Sequence, residues 1–296
     1  MVERDRTGGR ASTTGRPPAE DAAREGDQRD ADDVRDEAGG PLLVWERPEP
    51  TDRATPSPLD RDRIVRAAIA LADADGLTAV SLRKVAAALD AGPMRLYRYV
   101  ATKEELLDLM VDAVYAEIHP PDPGDGWRTA LRTLAGRTRQ AALRHEWFAD
   151  LLGGRPNLGP HALAHLEAHV AALHGAPGFD DVDTVRDAVG VVRAYLVGAV
   201  RMEIAERRAE RASGLTKHQR QRATGPYLTR MFATGRYPTL AQVVADATHP
   251  NPATTFDTGL DLLLDGIDPD GRTGGRRSGR VAFGPGPTCP APGRGG

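Results

Sequence analysis

The chain has 296 residues, of which 40% are hydrophobic and 27% charged, and its net charge is -3. That is enough chain and apolar material for two globular domains, and it excludes a fibrous protein. No apolar run approaches the roughly 20 residues that a bilayer-spanning helix needs, and the charged N-terminus lacks the apolar core of a signal peptide. A cytoplasmic protein with no membrane partner is therefore expected. The single cysteine, Cys289, lies in a Gly/Pro-rich stretch, which excludes a disulfide framework and a cysteine-based metal site.

Charge is distributed unevenly. Residues 1–57 carry nine Arg against fourteen acids, whereas residues 58–103 carry eight Lys or Arg against five Asp. Positive potential thus gathers in one segment of an acidic chain, as contact with nucleic acid requires. Residues 1–57 lack apolar periodicity and are expected to form a disordered extension. Their apolar island, Leu42, Leu43, Val44 and Trp45, reads as a linker leaning loosely on the first domain. The alternative is an arm whose Arg47 and Arg53 reach DNA.

From about residue 60 to 74, Ile64, Val65, Ala68, Ile69, Leu71 and Ala72 share one broad arc at helical spacing, and Gly76 sits just past the end. Ser81 then has the chemistry of an N-cap, and Leu82, Val85, Ala86 and Leu89 line one side of a short helix while Arg83 stays on the other. Asp90 tolerates a left-handed turn, Gly92 can cap the next helix, and Pro93 suits its first position because it has no amide hydrogen to lose. With Leu96 turned inward, a rotation of about 100° per residue puts Met94 and Arg98 outward and Arg95 and Tyr97 on the flanks. Thr102 and Glu105 form a T-x-x-E capping box that opens a third helix, with Lys103 in its first turn. Helix, tight turn, helix is the grammar of a helix-turn-helix.

At these residues the sequence resembles the tetracycline-repressor (TetR/AcrR) family of transcriptional regulators. The resemblance rests on the run Leu96, Tyr97, Tyr99 and Lys103 together with the turn chemistry and the helices on either side. Asp90 and Gly92 depart from the Gly and the Ser or Thr that the family often has there, but both fit the local geometry.

The segment HPPDPGDGW breaks the helical pattern after residue 118, and no strand pattern follows. Residues 127–152 read as one or two helices ended by Gly153, Gly154 and Pro156. His161, His165 and His169 then recur at i, i+4 and i+8. With Leu163, Leu166, Val170 and Leu173 taken as the buried stripe, the histidines fall about 120° away and face mostly solvent; a metal or pH-sensing site is the alternative. The longest helix, from about residue 183 to 212, has an apolar face so wide that cover on two sides is expected, and Arg193 within it needs an acidic or ligand partner. Its charged second half is expected to project into solvent. Two short helices around a turn at Gly235 to Pro238 and a strongly amphipathic last helix through Phe256, Leu260, Leu263, Leu264 and Ile267 complete the pattern. Residues 269–296, with five Arg against one acid, form a disordered basic Gly/Pro-rich tail.

The fold expected is all-α: a three-helix helix-turn-helix DNA-binding domain at 58–118 joined to a helical ligand-binding and dimerisation domain at 119–268. The resemblance implies a homodimer on double-stranded DNA with a palindromic operator, most simply a repressor released by a small-molecule effector. A regulator or activator with no functional inducer is the alternative. Carried onto this sequence, the DNA-binding residues are Ser81, Arg83, Gly92, Pro93, Met94, Arg95, Tyr97, Arg98, Tyr99 and Lys103. Arg95 is the candidate for a bidentate pair with guanine, Met94 for a thymine methyl, and Tyr97, Lys103, Ser81 and Arg83 for phosphate, with a base edge as the alternative for Arg83; Tyr99 either touches phosphate or simply packs. The implied ligand pocket is expected at Trp147, Phe148, Leu151, Val192, Tyr195 and Met231, suited to an apolar or aromatic compound. Tetracycline repressors hold their metal-drug complex with a histidine shortly before a Gly-x-Arg-Pro run. The matching LLGGRP has Leu151 or Leu152 there, which argues against metal-tetracycline. No nucleophile elbow, phosphate loop, dinucleotide fingerprint or Cys/His cluster is present in the sequence, so no catalytic residue, cofactor or metal is expected.

Overall fold

A computed structural model describes residues 42–50, 58–248 and 250–268. The N-terminal extension before Leu42, Arg53, and the tail with Cys289 lie outside the described residues. Eleven α-helices and one 3-10 turn, Leu77–Ala79, account for the regular structure among those described. The helices are α1 (Arg61–Asp75), α2 (Leu82–Ala88), α3 (Pro93–Tyr97), α4 (Lys103–Ala116), α5 (Trp127–Arg144), α6 (Glu146–Leu151), α7 (Pro160–Leu173), α8 (Val182–Ser213), α9 (Lys217–Ala233), α10 (Pro238–Asp246) and α11 (Pro252–Ile267). The all-helical architecture matches the reading of the sequence.

Local chemistry sets most of the boundaries. Asp60 caps α1 by accepting from the Arg63 amide at 2.6 Å, and Gly76 ends that helix at φ 82°. Thr102 caps α4 by accepting from the Glu105 amide at 3.1 Å, while the Glu105 carboxylate reaches back to the Ala101 amide at 2.8 Å, one residue earlier than a standard capping box. Asp181 caps α8, and Asn251 caps α11.

One hydrophobic core runs through both halves of the chain, from Val44 to Leu264. α1, α2, α3 and the first half of α4 close around Ile64, Ala68, Val85 and Leu96, each 0% exposed. Burying a side chain such as Leu96 stabilises the fold by about 1.5–3 kcal/mol. The halves are joined through α6: Trp147 is buried and its indole N–H donates to Asp73 of α1 at 2.7 Å, and His145 bridges Asp73 and Glu117.

Three expectations are corrected here. The segment 42–50 does not lean loosely. Val44 is 3% exposed in the core, Arg47 pairs with Glu105 at 2.5 Å, and Arg61 donates to the carbonyls of Arg47 (2.7 Å) and Tyr99 (3.2 Å). Arg47 is thereby occupied inside the protein and is no DNA-reaching arm. The second half of α8 does not simply project: Arg208 and Arg211 pair with Glu146 and Asp150 of α6, Glu203 takes a bidentate grip from Arg139 of α5 (2.7 and 2.8 Å), and Ile204 is 1% exposed. Finally, α8 is covered on one side only among the described residues. Val191 and Met202 stay exposed at 47% and 71%, and a Cβ at Gly198 would meet nothing within 4 Å. No residue of α9 or α10 is buried. Among the described residues no helix is long and apolar enough to cross a membrane.

Candidate functional site

Two sites stand at opposite ends of α4. At its N-terminal end is the surface formed by α2 and α3. Ser81 caps α2 through a 3.3 Å bond from the Lys84 amide, which leaves its hydroxyl hydrogen for an outside acceptor. α2 stops where Asp90 enters the left-handed region at φ 51°, the one non-glycine residue described that does so. The Ala91 amide bonds back to the Ala86 carbonyl at 2.9 Å, and Gly92 in extended geometry hands the chain to Pro93 at the start of α3. Leu96 is the anchor that turns α3. With it buried, Met94 (65%) and Arg98 are exposed, Tyr97 is 37% exposed and Arg95 is half-buried on the flank, as the rotation per residue predicts. Arg83, Lys84, Gly92, Pro93 and Lys103 are exposed beside them and Ser81 is half-exposed.

Of the two roles open to Tyr99, it takes packing. It is 1% exposed and its hydroxyl donates to the Pro50 carbonyl at 3.4 Å, so it braces the motif from behind and cannot face a phosphate.

At the other end of α4 lies a small cavity of about 50 Å³. Its wall is Tyr115 of α4, Thr138 of α5, Leu152 and Gly153 of the α6–α7 loop, Ala162, His165, Leu166 and His169 of α7, and Arg193, Leu196 and Val197 of α8. The α7 wheel is therefore turned the other way from the sequence reading: Leu163 is 48% exposed and Leu166 36%, while His169 is 1% exposed and His165 packs on Tyr115 with ring centroids 5.0 Å apart. Of the three histidines only His161 faces solvent, where its Nδ1 meets Asp112 at 2.9 Å. The helix is apolar on nearly every side, so its leucines could not tell the inner arc from the outer one; the arc Ala162, His165, His169, Leu173 has the same helical spacing.

Burial governs the electrostatics of this wall. Desolvation drives the His165 imidazole from 6.5 down to about 3, with His169 and Arg193 pushing the same way. His169 is lowered by burial as well, against the opposing effect of its bond to the His165 carbonyl. Burial raises the Tyr115 phenol, which Arg193 partly counters. Both imidazoles are thus neutral at ordinary pH.

None of the six residues expected at the pocket is in this wall. Trp147 and Phe148 lie in the core that joins the two halves, where Phe148 backs Tyr115 edge-on at 5.2 Å. Val192 is fully buried, the Tyr195 hydroxyl donates to the Phe256 carbonyl of α11 at 2.7 Å, Leu151 is half-buried, and Met231 sits on the outlying α9. Of the two leucines matching the tetracycline repressor's histidine, Leu152 is the one in the wall. Tyr115, Thr138, His165 and His169 line this cavity and were not expected there; Arg193, expected to need an acidic or ligand partner, is exposed at its edge. No carboxylate among the described residues forms an ion pair with Arg193, and no group of three or more His, Cys, Asp or Glu gathers there as for a metal ion.

An exposed helix-turn-helix face joined by one helix to a cavity in an all-helical domain defines a DNA-binding transcriptional regulator. Comparison with known proteins agrees. Residues 64–110 match the model of bacterial regulatory proteins of the tetR family, and residues 120–269 match the tetracyclin repressor-like C-terminal domain. The chain belongs to the tetR family. It is 40% identical over 228 residues to the HTH-type transcriptional repressor DrrR1 of Streptomyces coeruleorubidus, covering 76% of this chain and 83% of the relative. It is 30% identical over 159 residues to the class E tetracycline repressor protein of Escherichia coli, covering 51% and 72%. Among solved structures, the Streptomyces coelicolor TetR family protein ActR in complex with actinorhodin superposes with a TM-score of 0.62 at 26% identity, covering 71% of this chain and 96% of ActR.

Proposed function

We propose that this protein is a homodimeric repressor that holds a palindromic operator through α2 and α3 and lets go when a small molecule fills the cavity behind Tyr115. Residues 58–118 read DNA, and residues 119–268 bind the effector and pair the subunits. The observation that carries this reading is the span of α4. Lys103 of the DNA face and Tyr115 of the cavity wall lie on one rigid helix, twelve residues or about 18 Å apart. A ligand that shifts Tyr115 swings the helix-turn-helix.

The clip that couples α4 to the cavity helix is Asp112. It is 4% exposed and accepts from the amides of His161 (3.0 Å) and Ala162 (2.8 Å), so a carboxylate of α4 caps α7. A Cβ at Gly159 would collide with that carboxylate, which ties the glycine to the clip.

Pairing is supported by the open face of α8 (Val191, Met202), by Leu262 of α11 at 70% exposure, and by the apolar side chains of α10, Leu240, Val243 and Val244, that nothing among the described residues covers. A second copy on these faces sets two α3 helices on successive major grooves about 34 Å apart. On each, Arg95 reads a base, Met94 and Arg98 lie in the groove, and Ser81, Arg83, Tyr97 and Lys103 hold phosphate.

The test is a gel-shift titration on DNA upstream of the protein's own gene and its neighbours, with and without candidate effectors. A specific complex dissolved by an effector is the expected result. A complex that no effector weakens, though it fills the cavity, would leave a regulator without an inducer.

A further inference from the structure

The protons on the two cavity histidines are assigned by their neighbours. Thr138 donates its hydroxyl hydrogen to the Leu134 carbonyl at 2.7 Å, so toward His165 Nε2, 3.3 Å away, it can only accept. Nε2 of His165 therefore carries the ring hydrogen and Nδ1 is a bare acceptor. His169 donates through Nδ1 to the His165 carbonyl at 2.9 Å, which leaves its Nε2 bare. These two bare nitrogens, His165 Nδ1 and His169 Nε2, are buried and have no hydrogen-bond partner. Protonation does not relieve them, since burial keeps both rings neutral. A buried acceptor without a donor costs free energy that a suitable ligand recovers. Arg193, which is exposed, adds a cation at the edge of the same wall.

We propose that the cavity takes a hydroxylated aromatic acid, whose O–H groups donate to His165 Nδ1 and His169 Nε2 while an acidic oxygen faces Arg193. This rests on the reading of the cavity as the effector site and names the chemistry of the effector. A purely apolar ligand leaves both nitrogens unanswered. Aromatic character follows from Tyr115 and the two imidazoles, which offer ring faces and edges, and from Leu152, Leu196 and Val197.

The test uses the full-length protein and three probes by calorimetry: 3,5-dihydroxybenzoate, which has one O–H for each histidine, its dimethyl ether 3,5-dimethoxybenzoate, and resorcinol. The hydroxy acid should bind at least about tenfold more tightly than the methyl ether, because the ether cannot donate. His169→Leu and His165→Phe should each bring the hydroxy acid down toward the ether while leaving the ether's affinity in place. Arg193→Gln should weaken both acids and spare resorcinol. Equal or tighter binding of the ether to the wild type overturns the proposal, and that comparison needs no variant to fold. So does absence of hydroxy-acid binding at about 1 mM, or binding that appears only with added Mg2+ and is lost with chelator, which would make the imidazoles metal ligands. Operator affinity is followed in parallel. Binding as expected without release of DNA keeps the cavity chemistry and sinks the effector reading.

Discussion

His165 makes stability depend on pH. Its folded-state value lies near 3 against 6.5 in the unfolded chain, so between those limits the unfolded chain binds more protons than the folded one. The stabilisation is complete above about pH 6.5 and drains away as pH falls toward 3, at on the order of 1 kcal/mol per unit. His169 is shifted in the same direction and adds to the slope; Arg193 pushes both down, and Tyr115, raised by burial, stays neutral throughout. Urea midpoints should therefore drop from pH 7.5 to 5.5, and His165→Phe should flatten that drop. An unchanged slope in the variant would mean that the imidazole is solvated and protonates in the folded protein. At this scale the sequence was only partly legible. The outward set of α3 followed from Leu96 alone, because a five-residue helix with one buried side chain has one solution. The inner set of α7 did not, because leucine on both arcs hides which one faces α4.

At the scale of elements, the helix-turn-helix was readable because its chemistry is local. Ser81, Asp90, Pro93 and Thr102 act on backbone groups a few residues away, and the structure uses Ser81 and Thr102 as caps, Asp90 in its turn and Pro93 at a helix start. The strap 42–50 was not readable. Its hold depends on partners far along the chain, Glu105 for Arg47 and the backbone carbonyls of Arg47 and Tyr99 for Arg61, and no short-range pattern announces such a contact. The strap lies against the base of the DNA-reading motif through Tyr99 and Pro50. Val44→Ala should cost about 2 kcal/mol and raise hydrogen exchange in α1 and α3 together. A variant with wild-type stability would return the segment to the loose linker that the sequence suggested.

For the whole molecule, α8 and α11 carry the account. They pack on each other through Leu196, Val200, Phe256 and Leu260, yet leave Val191, Met202 and Leu262 uncovered. The width of the α8 face was legible in the sequence and its cover was not, because an apolar face left open reads the same in one chain as a face covered by another element. Met202→Lys with Leu262→Lys should leave monomers at micromolar concentration by sedimentation velocity, with helicity retained, and should weaken operator binding by losing one of two half-sites. A double variant that sediments like the wild type would place the pairing surface elsewhere.

In such a dimer, α2 and α3 should read a specific DNA sequence. Equilibrium fluorescence anisotropy on the operator and on a scrambled duplex, for wild type, Arg95→Ala and Lys103→Ala, addresses it directly. Arg95→Ala should lose about 1–3 kcal/mol on the operator and little on the scrambled duplex, whereas Lys103→Ala should weaken both equally and reduce the salt dependence by about one charge. An Arg95→Ala protein that keeps the full preference for the operator would contradict the account.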